Sequence, residues 1–317
     1  ALAGYSDVND DTRLRVRELA KKQKYFPNPV AQRLQKGKTE TIGLAISPGY
    51  NYFKDSFFID LIAGVSSNLS KIGYDLTIAI AADSNKEIES LKRMVQGKRG
   101  DGIILTMTKV NDDRISYLID QDFPFVLYGR TEDTRPHSFV DMDGELVFRE
   151  ACKLLFELGH KRIALINGEH EYMFPRFCLE GYKNALTSEG INFDPELVKE
   201  WKQNKEKCSS LQLTLSLMKL EKPPTAIISY TEVVPGILQA LQQINLKVGE
   251  DVSLICYEDL EIAKTNIPQL TTMFPPMRSA AKKIVEFLIE IIEGNSPDKP
   301  QKIFNVEMII RQSTKAV

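Results

Sequence analysis

The sequence has no apolar run near the ~18 residues that a membrane-spanning helix needs. It opens with no basic stretch leading into an apolar one, so no secretory signal is visible. Cysteine is sparse: Cys152, Cys178, Cys208 and Cys256 lie far apart, with no C-x-x-C pair. A disulfide framework and a zinc ribbon are both poor readings of that spacing, and a reducing cytoplasm is the better one. His137, His160 and His170 have no partners at metal-ligand spacing, so no metal is expected. No cofactor motif appears: Lys36-Gly37-Lys38-Thr39 lacks the phosphate-loop frame and precedes its strand. There is no nucleophile elbow and no Ser-His-Asp order. The neighbouring carboxylates, Asp141 with Asp143 and Glu258 with Asp259, sit on single segments, where they rarely face each other across a substrate. An enzyme is therefore not expected.

A chain of 317 residues is too long for one ordinary core, and two lobes are the prior. Hydrophobic content of 43% with 26% charged residues fits a soluble globular protein. The net charge of −2 hides an asymmetry. Residues 1–40 carry nine basic against five acidic side chains, +4 in all, which leaves −6 for the remainder. A basic arm on an acidic body points to an anionic partner at one end; a solvated amphipathic helix is the alternative.

Within that arm, Asn9-Asp10-Asp11-Thr12 reads as a helix start, with a cap followed by acids in the first turn. Leu14, Val16, Leu19 and Ala20 form its apolar stripe, and Pro27 should lie beyond its end. Ala1-Leu2-Ala3-Gly4 reads as the last turn of a preceding helix. The short run Asn28-Pro29-Val30-Ala31-Gln32-Arg33-Leu34 then leads to a charged, glycine-containing joint. A leucine on so short a helix has no core of its own. It must be buried by a partner chain or wedged into something else, such as a DNA base step.

From residue 41 strand-like and helical stretches alternate. Strands are expected over 42–46, 76–81, 102–105, 125–128, 138–141, 162–166, 226–229, 252–257, 270–273 and 304–310. Helices are expected over 58–71, 87–96, 147–158, 179–188, 208–220, 236–244 and 277–293. Repeated β-α order predicts an α/β fold of doubly wound parallel sheets, with ligand binding at the carboxyl edges of the strands.

Several motifs agree in order and spacing: Ala1-Leu2-Ala3-Gly4, Val8-Asn9-x-x-Thr12-Arg13-x-x-Val16, Tyr25-x-Pro27-Asn28-x-Val30-Ala31-x-x-Leu34 and Thr41-Ile42-Gly43-Leu44. Together they closely resemble bacterial transcriptional repressors of the LacI/GalR type, and the resemblance continues to the C-terminus. It implies a partial helical DNA-binding headpiece and hinge over 1–40, ahead of a two-lobed, periplasmic-binding-protein-like body over 41–317. The N-lobe would take about 41–139 and 274–293, and the C-lobe about 140–271 and 304–317. It further implies a cytoplasmic homodimer with operator DNA and a small-molecule effector, a mono- or disaccharide, as partners. Leu34 would lever open a base step, Ala31 would lie on the groove floor, Asn28 near the phosphates, and Gln32 beside them on the same hinge. Only the tail of the recognition helix is present, so this chain by itself is expected to bind operator DNA poorly. The alternative is a sugar-binding protein for transport or sensing.

The resemblance also places effector contacts. Phe57 and Phe58 fall where the family opens its first body helix and could supply an aromatic platform; the other reading makes one core and one lid. Arg130 follows a strand end in Tyr128-Gly129-Arg130, where it could donate to hydroxyls or pair with Glu132 or Asp133. Arg176 matches the first arginine of the family's R-x-R-L motif, and the second is Cys178 here. Glu258 stands in place of an aspartate, and Tyr230 could wall the pocket. Leu61, Val65 and Leu69 could belong to a dimer face or to the core.

Overall fold

The computed structural model describes residues 9–25, 37–47, 56–81, 83, 86–202, 209–295 and 298–317. The hinge residues Asn28, Ala31, Gln32 and Leu34, and the side chain of Phe57, lie outside them. The basic helix α1 (Asp10–Lys22) is capped by Asn9, whose side chain accepts from the Asp11 N–H at 2.9 Å. No residue of α1 is buried.

The N-lobe begins with β1 (Thr41–Ile46), α2 (Ser56–Ser70), β2 (Asp75–Ile80) and α3 (Glu87–Gln96). It continues with β3 (Gly102–Leu105), α4 (Asp113–Asp120), β4 (Phe125–Tyr128) and β5 (Ser138–Met142). The C-lobe opens with α5 (Gly144–Glu157), β6 (Ile163–Asn167), α6 (Met173–Ser188) and β7 (Val198–Glu200). It goes on with α7 (Ser210–Met218), β8 (Ala226–Tyr230), α8 (Val234–Gln243), β9 (Ser253–Tyr257), α9 (Glu261–Thr265) and β10 (Thr271–Phe274). The chain returns to the N-lobe with α10 (Met277–Ile292) and β11 (Gln301–Phe304), then adds β12 (Glu307–Ile309) to the C-lobe.

The strand orders are β11-β5-β4-β3-β1-β2 and β12-β10-β9-β8-β6-β7. Both lobes repeat one doubly wound order, completed by a strand from the tail. β11 joins β5 in parallel and β12 joins β10 antiparallel. Central strands such as Ile163-Ala164-Leu165-Ile166 are buried throughout, because helices cover both faces of a parallel sheet. In each lobe the order reverses beside the first strand, between β1 and β3 and between β6 and β8. These reversals open crevices at the carboxyl edges of the strands.

Three readings change in the structure. The run over 304–310 is two strands in two different sheets, broken at Asn305-Val306. It reads as one run because Val306, at the break, is apolar and packs against both lobe cores. Helix α6 starts at Met173, not at Leu179. Pro175 lies in its first turn, where a missing N–H costs nothing. Leu61, Val65 and Leu69 are fully buried in the N-lobe core, against α10, and so form no dimer face. The exposed apolar residues nearby are Ile59, Ile72, Ile78 and Ile80, the last two on edge strand β2. Among the described residues no helix is long and apolar enough to cross a membrane.

Candidate functional site

The carboxyl end of β4 turns through Gly129, whose φ of +123° is open to glycine and strained for other residues. A side chain there would also strike the Thr108 hydroxyl. The turn delivers Arg130 into the space between the lobes. Its Nε donates to Asp141 Oδ2 of β5 at 2.7 Å. Its guanidinium lies 3.8 Å from the ring centroid of Phe177, on α6 of the opposite lobe. Its Nη2 is buried and has no hydrogen-bond partner. The partner is thus Asp141, and neither Glu132 nor Asp133.

Asp141 is 3% exposed. Burial pushes its carboxyl up to about 6, outweighing the charge and hydrogen bond of Arg130 and the bond from the Met142 N–H. A group titrating there makes the electrostatics of this pair depend on pH within the physiological range.

On the C-lobe side the Tyr230 hydroxyl donates to Asn167 Oδ1 at 3.2 Å and approaches Cys178 Sγ at 3.7 Å. Asn167 is fully buried, and its Nδ2 donates to the Pro175 carbonyl at 2.8 Å. Burial drives the Cys178 thiol and the Tyr230 and Tyr257 phenols well above their usual ranges, so all three stay neutral. Phe148, Phe174, Tyr230 and Tyr257 form a continuous aromatic cluster, the closest pair being Phe174 and Tyr257 at 5.0 Å; Phe148 and Tyr257 are buried in the C-lobe core, and Phe174 and Tyr230 are the partly exposed members. The arrangement offers one partly satisfied guanidinium, the Tyr230 hydroxyl and the partly exposed rings of Phe174, Phe177 and Tyr230. Its chemistry suits a neutral polar ligand with apolar faces, and among the described residues it includes no activated nucleophile.

The other expected contacts are dispersed. Phe58 is 6% exposed and packs with Leu61 and Val65 in the N-lobe core, following the helical spacing, so it is no platform. Arg176 lies at the rim, where Nη1 pairs with Glu132 of the N-lobe at 2.7 Å. Glu258 sits at a φ of +81°, its N–H donating to the Met273 carbonyl at 2.8 Å and its own carbonyl accepting from the Thr231 hydroxyl. Its neighbour Asp259 is structural: Arg311 Nη1 donates to it at 2.7 Å and the Thr272 hydroxyl at 2.9 Å. His160 is structural as well, joining Thr225, Ser253 and the Lys315 carbonyl. Asp141, Asn167, Phe174 and Phe177 were not singled out as ligand contacts from sequence. Asn167 carried one signal, a polar residue closing an apolar strand.

A family model for a periplasmic binding protein-like domain matches residues 152–314. The HTH-type transcriptional regulator AglR of Rhizobium meliloti (strain 1021) is 33% identical, over 99% of this chain and 89% of that protein. The chain belongs to the LacI/GalR family. The HTH-type transcriptional regulator RafR of Escherichia coli is also 33% identical to the regulator, over 95% of its chain and 89% of RafR. Among solved structures, a LacI-type transcriptional regulator from Bacillus cereus subsp. cytotoxis NVH 391-98 superposes with a TM-score of 0.82 at 29% identity. It covers 87% of the regulator and 99% of its own chain. The lac repressor dimer bound to operator and an anti-inducer superposes with a TM-score of 0.86 at 23% identity, over 99% of the regulator and 93% of that chain, a likeness of fold. These relatives are transcriptional regulators and not enzymes. The alternative of a transport protein does not stand against them.

Proposed function

We propose that the regulator represses transcription by binding operator DNA as a cytoplasmic homodimer, and that a sugar held between the lobes sets its operator affinity. Residues 1–40 serve as headpiece and hinge, and 41–317 as the effector-binding body. Asn28, Ala31, Gln32 and Leu34 meet the minor groove. A second copy covering edge strand β2 would bury Ile78 and Ile80. The effector contacts are Arg130 and Tyr230, with Glu258 and Arg176 at the margin; Phe57, whose side chain lies outside the described residues, is a further candidate.

One observation carries the effector site: the buried, unpartnered Nη2 of Arg130, on a guanidinium already aimed between Asp141 and Phe177. An unmet buried donor is costly, and a ligand hydroxyl would relieve it. A sugar is favoured because its C–H faces suit the partly exposed rings of Phe174 and Phe177 while its hydroxyls suit Arg130 and Tyr230. The solved relative CelR was captured with cellobiose, and another family member with ribose.

The test is a thermal-shift screen over mono- and disaccharides, α-glucosides first, run in parallel on Arg130→Ala. A sugar should raise the melting temperature of the wild type and not of the variant. Equal shifts in both would remove Arg130 from the site.

A further inference from the structure

A cavity of about 50 Å³ opens at the amino edge of the N-lobe sheet, the edge opposite the cleft. Its lining comes from the end of α4 and the turn after it, the first residues of β4 and β5, and the segment leading into β11. Leu118, Phe123 and Phe125 supply an apolar wall. The polar groups are Asp122, His137, Ser138 and Lys299. Strand β11 pairs with β5 in parallel, Gln301 beside Phe139, and this register carries Lys299 alongside His137.

These polar groups keep bonding capacity in reserve. His137 is buried, and its Nδ1 lies 2.6 Å from the Arg135 carbonyl. A carbonyl only accepts, so Nδ1 carries the proton and the neutral ring presents Nε2 as an acceptor. Among the described residues Nε2 has no hydrogen-bond partner. The segment that holds the ring is fixed by Arg135, which donates to Asp120 and to Ser116 Oγ, each at 2.9 Å, and pairs with Asp133. Ser138 is 1% exposed, and its Oγ is buried without a hydrogen-bond partner. A native protein rarely leaves such a group unmet, because the desolvation cost is not recovered. Asp122 and Lys299 have φ of +47° and +46°, uncommon for residues with side chains. Strained backbone of this kind gathers at ligand clamps. Neither side chain forms an ion pair with a described residue, so the cavity carries one free charge of each sign.

We propose that this cavity is a second ligand site, separate from the cleft, for a small zwitterion: an α-amino acid of the size of glycine or alanine. Its carboxylate meets Lys299 and the Ser138 hydroxyl. Its ammonium meets Asp122, exposed at the rim, and His137 Nε2. The methyl group of alanine faces Leu118 and the two phenyl rings. A simple anion would leave Asp122 opposed to it, a simple cation Lys299, and a neutral ligand would satisfy neither. A water position takes roughly 10–15 Å³, so the cavity holds about four non-hydrogen atoms and leaves the rest of so small a ligand at the rim. The strands that begin here, β4 and β5, end beside Arg130 and at Asp141, and the arm joins β1 at this same edge. The site therefore shares its scaffold with both.

Equilibrium dialysis of the full chain with radiolabelled L-alanine tests the site. Saturable binding with a Kd below roughly 1 mM is expected. Its absence would mean that the cavity takes water only, and overturns the proposal. Propionate and ethylamine each carry one of alanine's two charges. As competitors they should be roughly tenfold weaker than unlabelled alanine, the effect of losing one charge-assisted hydrogen bond. Equal competition by either one overturns the zwitterion. Lys299→Gln and Asp122→Asn, in proteins that still melt cooperatively, should each weaken alanine binding roughly tenfold. Unchanged affinity in both overturns the site. Arg130→Ala should bind alanine as the wild type does; loss of binding there would place the ligand in the cleft and overturn a separate site. No sugar or DNA enters these measurements, so their failure leaves the repressor reading standing.

Discussion

Asp141→Asn isolates the titrating group of the cleft with little change of shape. In the wild type the carboxyl is held up to about 6, because burial outweighs the attraction of Arg130. An aspartate in an unfolded chain titrates near 3.8. The folded state therefore binds the proton more tightly. Asp141's contribution is fully present below the unfolded value and is lost as pH rises through about 6. Integrating between about pH 7.5 and about pH 5.0, with these two values, gives on the order of 1 kcal/mol in favour of the acidic side. The asparagine variant cannot gain this. Urea unfolding of both proteins at the two pH values, at fixed protein concentration, gives the double difference. Wild type should gain on the order of 1 kcal/mol more than Asp141→Asn on acidification. The same pH dependence in both proteins would refute the argument. A gain of opposite sign would mean that Arg130 dominates the carboxyl and burial does not.

Arg114→Met should destabilise the N-lobe by roughly 3–5 kcal/mol, because Asp112 keeps a buried charge without its cation and Glu87 is left with Lys109 alone; chemical denaturation measures it. Gly181→Ala should cost roughly 1–3 kcal/mol, since its methyl would strike the Glu145 carbonyl where α5 and α6 pack closely. A neutral result by the same assay would mean that the helices separate freely. Leu34→Ala in a protein carrying the whole headpiece should weaken operator binding and DNA bending in gel-shift assays while leaving sugar-induced stabilisation unchanged. Equal operator affinity would falsify the wedge role.

The strands were legible where both faces are covered, because runs such as Ile103-Ile104-Leu105 and Phe125-Val126-Leu127 leave no polar side to present. Helix α4 was missed: it spans only eight residues, and one of its three buried residues, Arg114, is charged, which blurs the apolar stripe of Ile115 and Leu118. Strand β7 was missed because Val198-Lys199-Glu200 is a half-buried edge with mixed character. In the site, Arg130 was legible as a donor past a strand end, but its partner was not. The neighbours Glu132 and Asp133 are nearer in sequence, whereas Asp141 arrives through strand pairing of β4 with β5. Phe58 shows the reverse error, since an aromatic at a strand-to-helix junction looks the same whether it faces a cleft or a core. Phe174 and Phe177 are invisible to local pattern, since their roles depend on the other lobe.

The two-residue break between β11 and β12 has a mechanical consequence. Phe304 pairs with Met142 in one sheet and Glu307 with Phe274 in the other. Between them lie only Asn305 and Val306, while the Phe304 carbonyl accepts from Asp143 at the first crossover. So short a joint keeps the Cα atoms of Phe304 and Glu307 within about 11 Å of each other, which ties the ends of the two sheets together at this edge. A residue inserted there would lengthen the tie and widen the range of lobe placements while leaving both strand pairings intact.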